Sequence, residues 1–392
     1  MKIYKSYKIK SIFKLFIFVI TLFLLLFLSK ENFNTVKKSV NIFFSNVVPS
    51  LLPFILFTEI ILKTDIIFLL TKIFGNLISK IFKVNKNSAS SVIIGFLCGF
   101  PMGSKSVNTL YENKKINKSD ANILLTFVNN CNPAFLISTI GIGIFNDIKI
   151  GFILLISHVL SSIIIGLIYS RKHLFSLDNI IHKNNENCKR IKNYNINTLN
   201  RGKNKININQ NFFIVIRNSI LNSFVTLGNI LGFIIIFNLL SNIINIFLEK
   251  IGISNYITTF IYGLFEITNG CNEIYSLQMD YKIKICIISF ILGFSGICIL
   301  CQVFSTICEQ NFKFLDLVKS KFLHGILSFI LTYIILKFVN LEVIHVFKNV
   351  EIANAELAYY INNMTIAYLI STFAIFLIIF IYYVYVKIKT IK

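Results

Sequence analysis

The residues able to do chemistry lie in four short polar breaks within apolar stretches. The first is Gly99-Phe100-Pro101-Met102-Gly103-Ser104-Lys105 and the second Asn129-Asn130-Cys131-Asn132-Pro133-Ala134-Phe135. The third is Phe265-Glu266-Ile267-Thr268-Asn269-Gly270, and the fourth Gly293-Phe294-Ser295-Gly296, with Gln302 about two turns on. Gly99, Pro101 and Gly103 forbid a continuous helix, so bare helix-start amides should stand beside the Lys105 ammonium. Amides and ammonium together favour an anionic ligand; the alternative is that Lys105 snorkels to the membrane interface. Asn129, Asn130 and Pro133 are expensive at hydrocarbon depth unless they line a polar cavity or bond to neighbouring helices. Glu266 is an ionisable group in an apolar segment, followed by Thr268, Asn269 and Gly270. It could accept a substrate hydrogen bond, carry a coupling proton, or sit in a structural ion pair.

Ser295, Gly296 and Gln302 complete the candidate substrate-binding set. Glu59 and His158 also lie in apolar spans, but without a surrounding motif they read as interfacial or satisfied polar residues. No nucleophile–base pair, metal-ligand set or phosphate-binding loop is spelled out, so neither an enzyme activity nor a cofactor is expected. Cys298 and Cys301 form a lone C-x-x-C in an apolar run and read as small hydrophobes rather than metal ligands.

The elements that must position these residues are membrane helices. Of 392 residues, 55% are hydrophobic and 14% charged, against roughly 25% charged in an ordinary globular chain. The net charge of +22 does not point to nucleic acid, because the lysines sit between apolar runs rather than on one face. Spans of about 20 apolar residues are expected near 12–29, 40–62, 150–170, 226–248, 321–339 and 364–386. Two further spans, 121–145 and 285–308, are interrupted. Segments 89–104 and 257–272 are too short and broken to cross, and 66–82, with Lys72 and Lys80, suits an interfacial helix. Pro49 and Pro53 should bend the helix they enter. With the first segment read as an uncleaved anchor and both termini cytoplasmic, 30 of the 39 Lys and Arg fall on the inner side.

The order span, short broken segment, interrupted span, span occurs from residue 40 and again from about 218. Gly95-Phe96-Leu97 corresponds to Gly263-Leu264-Phe265, and Phe127-Val128-Asn129-Asn130 to Phe290-Ile291-Leu292-Gly293. Three crossings per unit would invert the second copy, as in secondary transporters. The fold class expected is an all-α polytopic membrane protein of two inverted repeats, each with a re-entrant hairpin and a broken transmembrane helix. Its parts are an anchor (1–35), a first repeat (36–170), a basic cytoplasmic linker (171–211), a second repeat (212–340), and an acidic outer loop with a final helix (341–392).

Asn46-Val47-Val48-Pro49-Ser50-Leu51-Leu52-Pro53-Phe54 and the first three breaks, in that order over residues 36–335, resemble the YlbJ sporulation integral membrane proteins. This stage V sporulation dipicolinate-transporter family is similar to concentrative nucleoside transporters. The resemblance implies movement of dipicolinate, alone or with calcium, across the outer forespore membrane. It also implies that Lys105 and the amides near Gly103 meet a carboxylate while Asn130, Glu266 and Asn269 line the site. Where the family's last broken helix carries Gly-Gly and a histidine, this chain has Ser295-Gly296 and Ile299-Leu300-Cys301. The partners expected are thus a small-molecule anion, the lipid bilayer and, for a homo-oligomer, a second copy. A nucleoside transporter and a non-transporting scaffold for spore assembly are the rival functions.

Overall fold

Lipid cannot satisfy a backbone N–H or C=O, so long apolar runs close their hydrogen bonds within helices. The computed structural model describes Phe23, Leu26 to Asn184 and Phe212 to Val339, save Asn311 and Lys313, and among these residues every regular element is a helix. The expected anchor span, most of the basic linker, the acidic outer loop and the final helix lie outside the described residues, as do both termini.

The first half opens with α1 (Ser29–Ile42), a π-helical segment (Phe43–Val47) and α2 (Val48–Leu62). Pro49 and Pro53 lack the N–H that would close the ladder, and the Ser50 hydroxyl compensates by donating to the carbonyls of Asn46 at 2.8 Å and Val47 at 3.0 Å. Next come α3 (Ile66–Phe82), then α4 (Ala89–Leu97) and α5 (Met102–Glu112) packed side by side. After α6 (Lys118–Phe127) the chain leaves helical geometry and resumes as a π-helix (Phe135–Ile142), followed by α7 (Ile148–Asn184).

The second half has a similar element order, without a counterpart of α3. It runs through α8 (Phe212–Lys250), the packed pair α9 (Asn255–Phe265) and α10 (Ile267–Ser276), α11 (Tyr281–Phe294), α12 (Gly296–Ser305) and α13 (Phe314–Phe338). The breaks therefore recur, but not at the paired residues expected: Phe290–Gly293 lie inside α11, and the chain turns only at Ser295. The short segments are also the first arms and tips of longer pairs, since α5 continues to Glu112 and α10 to Ser276. The long helix α7 carries regular structure beyond the expected edge of the first repeat.

Five described segments are long and apolar enough to cross a membrane: Ser29–Leu62, Ile148–Arg171, Phe213–Lys250, Tyr281–Ser305 and Phe314–Phe338. Within the apolar window of Tyr281–Ser305, 72% of residues are buried, against 28% for Ser29–Leu62 and Phe213–Lys250, so the broken α11–α12 segment is the centre and the other two face outward. Their outward faces bear Phe33, Phe44, Leu221 and Phe224, an apolar rim suited to lipid.

Small residues allow close approach where side chains would hold helices apart. A Cβ on Gly293 would lie 2.8 Å from the Cα of Gly325, setting α11 against α13, and one on Gly141 would lie 2.6 Å from the Cα of Gly151, setting the π-helix against α7.

Candidate functional site

The turn between α4 and α5 and the break after α6 interlock. Gly99 adopts φ +75°, and its neighbour Phe100 donates its N–H to the Asn130 carbonyl at 2.9 Å. A Cβ on Gly99 would sit 2.8 Å from the Asn132 nitrogen, while Cβ atoms on Gly95 and Gly103 would sit 2.1 and 2.3 Å from the Val128 carbonyl oxygen. Glycines on both arms thus bring the helix pair onto the broken span. The asparagines close the loose ends of that break: Asn129 donates to the Leu125 carbonyl at 3.1 Å, Asn130 to Phe127 at 2.9 Å, and the Asn132 oxygen accepts from the Ala134 N–H at 2.7 Å. Pro133 follows within the same break, at the start of the helical turn that leads into the π-helix.

In the second half, Glu266 leaves helical geometry with φ −139° and caps α10, its two oxygens accepting from the N–H groups of Thr268 at 3.0 Å and Asn269 at 2.8 Å. Its side chain satisfies donors that a helix start leaves bare. A Cβ on Gly270 would lie 2.2 Å from the Gly263 Cα, so this pair crosses through its glycines. Ser295 and Gly296 hold φ of +72° and +63°, a left-handed turn that ends α11 and restarts the chain as α12. A Cβ on Gly296 would meet Ile267 at 2.9 Å, so the break rests on the tip of the α9–α10 pair.

The first three breaks, and α12 just beyond the fourth, line one cavity of about 30 Å³. Its polar wall is Asn132, Glu266, Thr268 and Gln302, and its apolar wall includes Phe100, Phe135, Ile267, Cys298 and Ile299, with Val47 and Leu51 from the first half and Ile230 and Ile234 from α8. That volume admits about one water molecule. Of the fourteen residues expected at a site, Glu266, Thr268 and Gln302 line the cavity. Gly99, Pro101, Asn129, Asn130, Pro133, Asn269, Gly270, Ser295 and Gly296 build the turns and breaks around it. The amide oxygens of Asn129, Asn130 and Asn269 are buried without a hydrogen-bond partner.

Gly103 and Lys105 point the first-half reading elsewhere. Gly103 seats α5 on the break, and the Lys105 ammonium is ion-paired to Glu59 of α2. Glu59, 1% exposed, also meets Lys63 at 3.3 Å and the Asn222 amide at 3.1 Å, while Lys105 reaches the Thr226 hydroxyl at 3.4 Å. The ammonium neither snorkels freely nor stands bare: it is neutralised between α2, α5 and α8. The spacing of Glu59 and Lys63, four residues apart on one helix, was a legible signal for that pair but not for Lys105.

A second polar cluster was not expected. Lys321 and His324 of α13 meet His158 of α7, with all three at most 1% exposed. The apolar pattern puts Lys321 at the edge of a span; α13 starts at Phe314, which carries Lys321 and His324 about two and three turns inward. Among the described residues no group of three or more His, Cys, Asp or Glu is placed to hold a metal, and the seven described cysteines are free.

No protein-family model matches the chain, and no solved structure matches it. The sporulation integral membrane protein YlbJ of Bacillus subtilis (strain 168) is 24% identical over 317 residues, covering 76% of each chain. With five apolar spans and an all-helical fold beneath it, the chain is similar to this sporulation integral membrane protein over about three quarters of its length.

Proposed function

We propose that the chain is a secondary transporter of a small organic anion, dipicolinate carried across the outer forespore membrane during sporulation, with no chemical step performed on the substrate. One observation carries this reading: both helix-pair tips and both broken spans contribute to the wall of a single buried cavity. Irregular backbone at membrane depth is tolerated where it lines such a cavity. In this reading the halves are inverted repeats, the α4–α5 and α9–α10 pairs are re-entrant, and both termini face the cytoplasm. At about 30 Å³ the cavity is too small for such an anion in this conformation, so loading requires the tips to part. A substrate carboxylate would then take the Thr268 and Asn269 amides that Glu266 now holds.

The test is uptake of labelled dipicolinate, with and without calcium, by proteoliposomes containing the full chain. Saturable uptake that falls in Glu266→Gln and Gln302→Ala is expected. Absence of uptake by the unaltered protein would refute transport of this substrate and favour the scaffold. A nucleoside remains the second reading on one specific ground: Asn132, Thr268 and Gln302 offer neutral hydrogen bonds, and the charge of Lys105 is already taken by Glu59. Competition by unlabelled nucleosides at concentrations where other dicarboxylates fail would favour it.

A further inference from the structure

The Lys321 ammonium is buried on α13 and donates to the backbone carbonyl of Asn129, just past the end of α6. Its other partner is Nδ1 of His324 at 3.3 Å. The tautomers follow from the remaining bonds. His324 Nε2 lies 3.0 Å from the His158 carbonyl, which only accepts, so Nε2 carries the proton and Nδ1 offers a lone pair to Lys321. His158 Nε2 accepts the Cys131 N–H at 3.0 Å, so it too is unprotonated and that ring is neutral. Lys321 therefore holds the positive charge of this cluster. From α7 it faces His158, from the break after α6 Cys131, and on its own helix His324; α11 and α12 present no charged group to it, and no carboxylate pairs with it among the described residues.

The carbonyl end of an interrupted helix is where a transporter binds a coupling cation. Here a side-chain ammonium occupies that end. An ammonium has three N–H groups, and two have partners. Releasing the third as a proton, R–NH3+ to R–NH2 plus H+, leaves both hydrogen bonds in place. We propose that Lys321 is the coupling site of this protein, a tethered cation that loads and unloads one proton and replaces a diffusible metal ion. The charge acts on the break directly: Asn129 adjoins Asn130, whose carbonyl holds the α4–α5 turn, and Asn132, three residues on in the same break, lines the cavity. The inference rests on the transport reading for its function but not for its chemistry.

Two experiments separate the two. In proteoliposomes, labelled dipicolinate should accumulate under a pH gradient and not under a sodium gradient, about tenfold per pH unit if one proton moves per substrate. Lys321→Met and Lys321→Gln should lose that accumulation yet keep substrate exchange across the membrane without a gradient. Accumulation driven by sodium, or retained in a folded Lys321→Gln protein, would overturn the proposal. The second experiment needs no substrate: 15N-histidine NMR of the full chain in lipid nanodiscs, assigned with His158→Asn and His324→Asn. A pH-dependent shift of the His324 Nδ1 signal that vanishes in Lys321→Gln is expected. A signal unchanged across pH 5–9 in the unaltered protein would overturn the proposal whatever the substrate.

Discussion

Lys105 of α5 and Glu59 of α2 form an ion pair whose acid is sealed from solvent and whose base is only partly so, with side-chain exposures of 2% and 32%. The pair ties the arm of a helix pair to the neighbouring span and takes the one cation expected to face a substrate. Charges in this position are held by partners rather than by water, and removing one partner strands the other.

Lys105→Ala should therefore destabilise the protein, by roughly 1–3 kcal/mol, since Glu59 keeps Lys63 and Asn222. Adding Glu59→Gln should recover part of the loss, because the stranded charge is gone. A double-mutant cycle on thermal unfolding in nanodiscs measures the coupling. If the double variant melts lower than the sum of the single effects, the pairing does not stabilise the fold.

Glu266 caps α10 with both oxygens. Glu266→Ala should cost about 1–2 kcal/mol, as for loss of an N-cap, and Glu266→Gln less, because its amide oxygen still accepts one N–H. Melting temperatures of the two variants, ranked Glu266→Ala below Glu266→Gln, check the capping role separately from any effect on uptake.

Glycine contacts at the helix-pair crossings predict a sharp contrast. Gly95→Ala and Gly270→Ala push a methyl group to 2.1 and 2.2 Å from backbone atoms and should destabilise by about 3 kcal/mol or more. At Gly228, on α8, nothing lies within 4 Å, so Gly228→Ala should be neutral or stabilising by up to ~1 kcal/mol. Equal melting temperatures for Gly95→Ala and Gly228→Ala would contradict this packing.

The left-handed turn between α11 and α12 places a serine where glycine is free of strain. Ser295→Gly should stabilise by roughly 1 kcal/mol, and Gly296→Ala should destabilise by a similar amount or more, given its contact with Ile267. Unfolding curves of the two variants should move in opposite directions.

How much of this could be read from the chain alone depends on how far apart the interacting residues are. The breaks were legible because their causes are local: Pro101 and Pro133, the glycines around them and the runs of asparagine cannot continue a helix wherever they occur. The apolar spans were legible for the same reason, with errors of position where periodicity fades, as at Ser295 and at the start of α13. Glu266 was recognised as unusual from its apolar neighbours, and its capping role follows from the residues beside it.

The partners of Lys105 and Lys321 were not legible. Glu59 lies 46 residues from Lys105, and Asn129 lies 192 from Lys321. Nothing in a linear pattern states that α2 meets α5, or that α13 delivers an ammonium to the end of α6. Sequence determined which groups are too polar for lipid. Tertiary packing alone decided which of them neutralise one another and which are left facing the cavity, because each buried charge must find its partner in space and not along the chain.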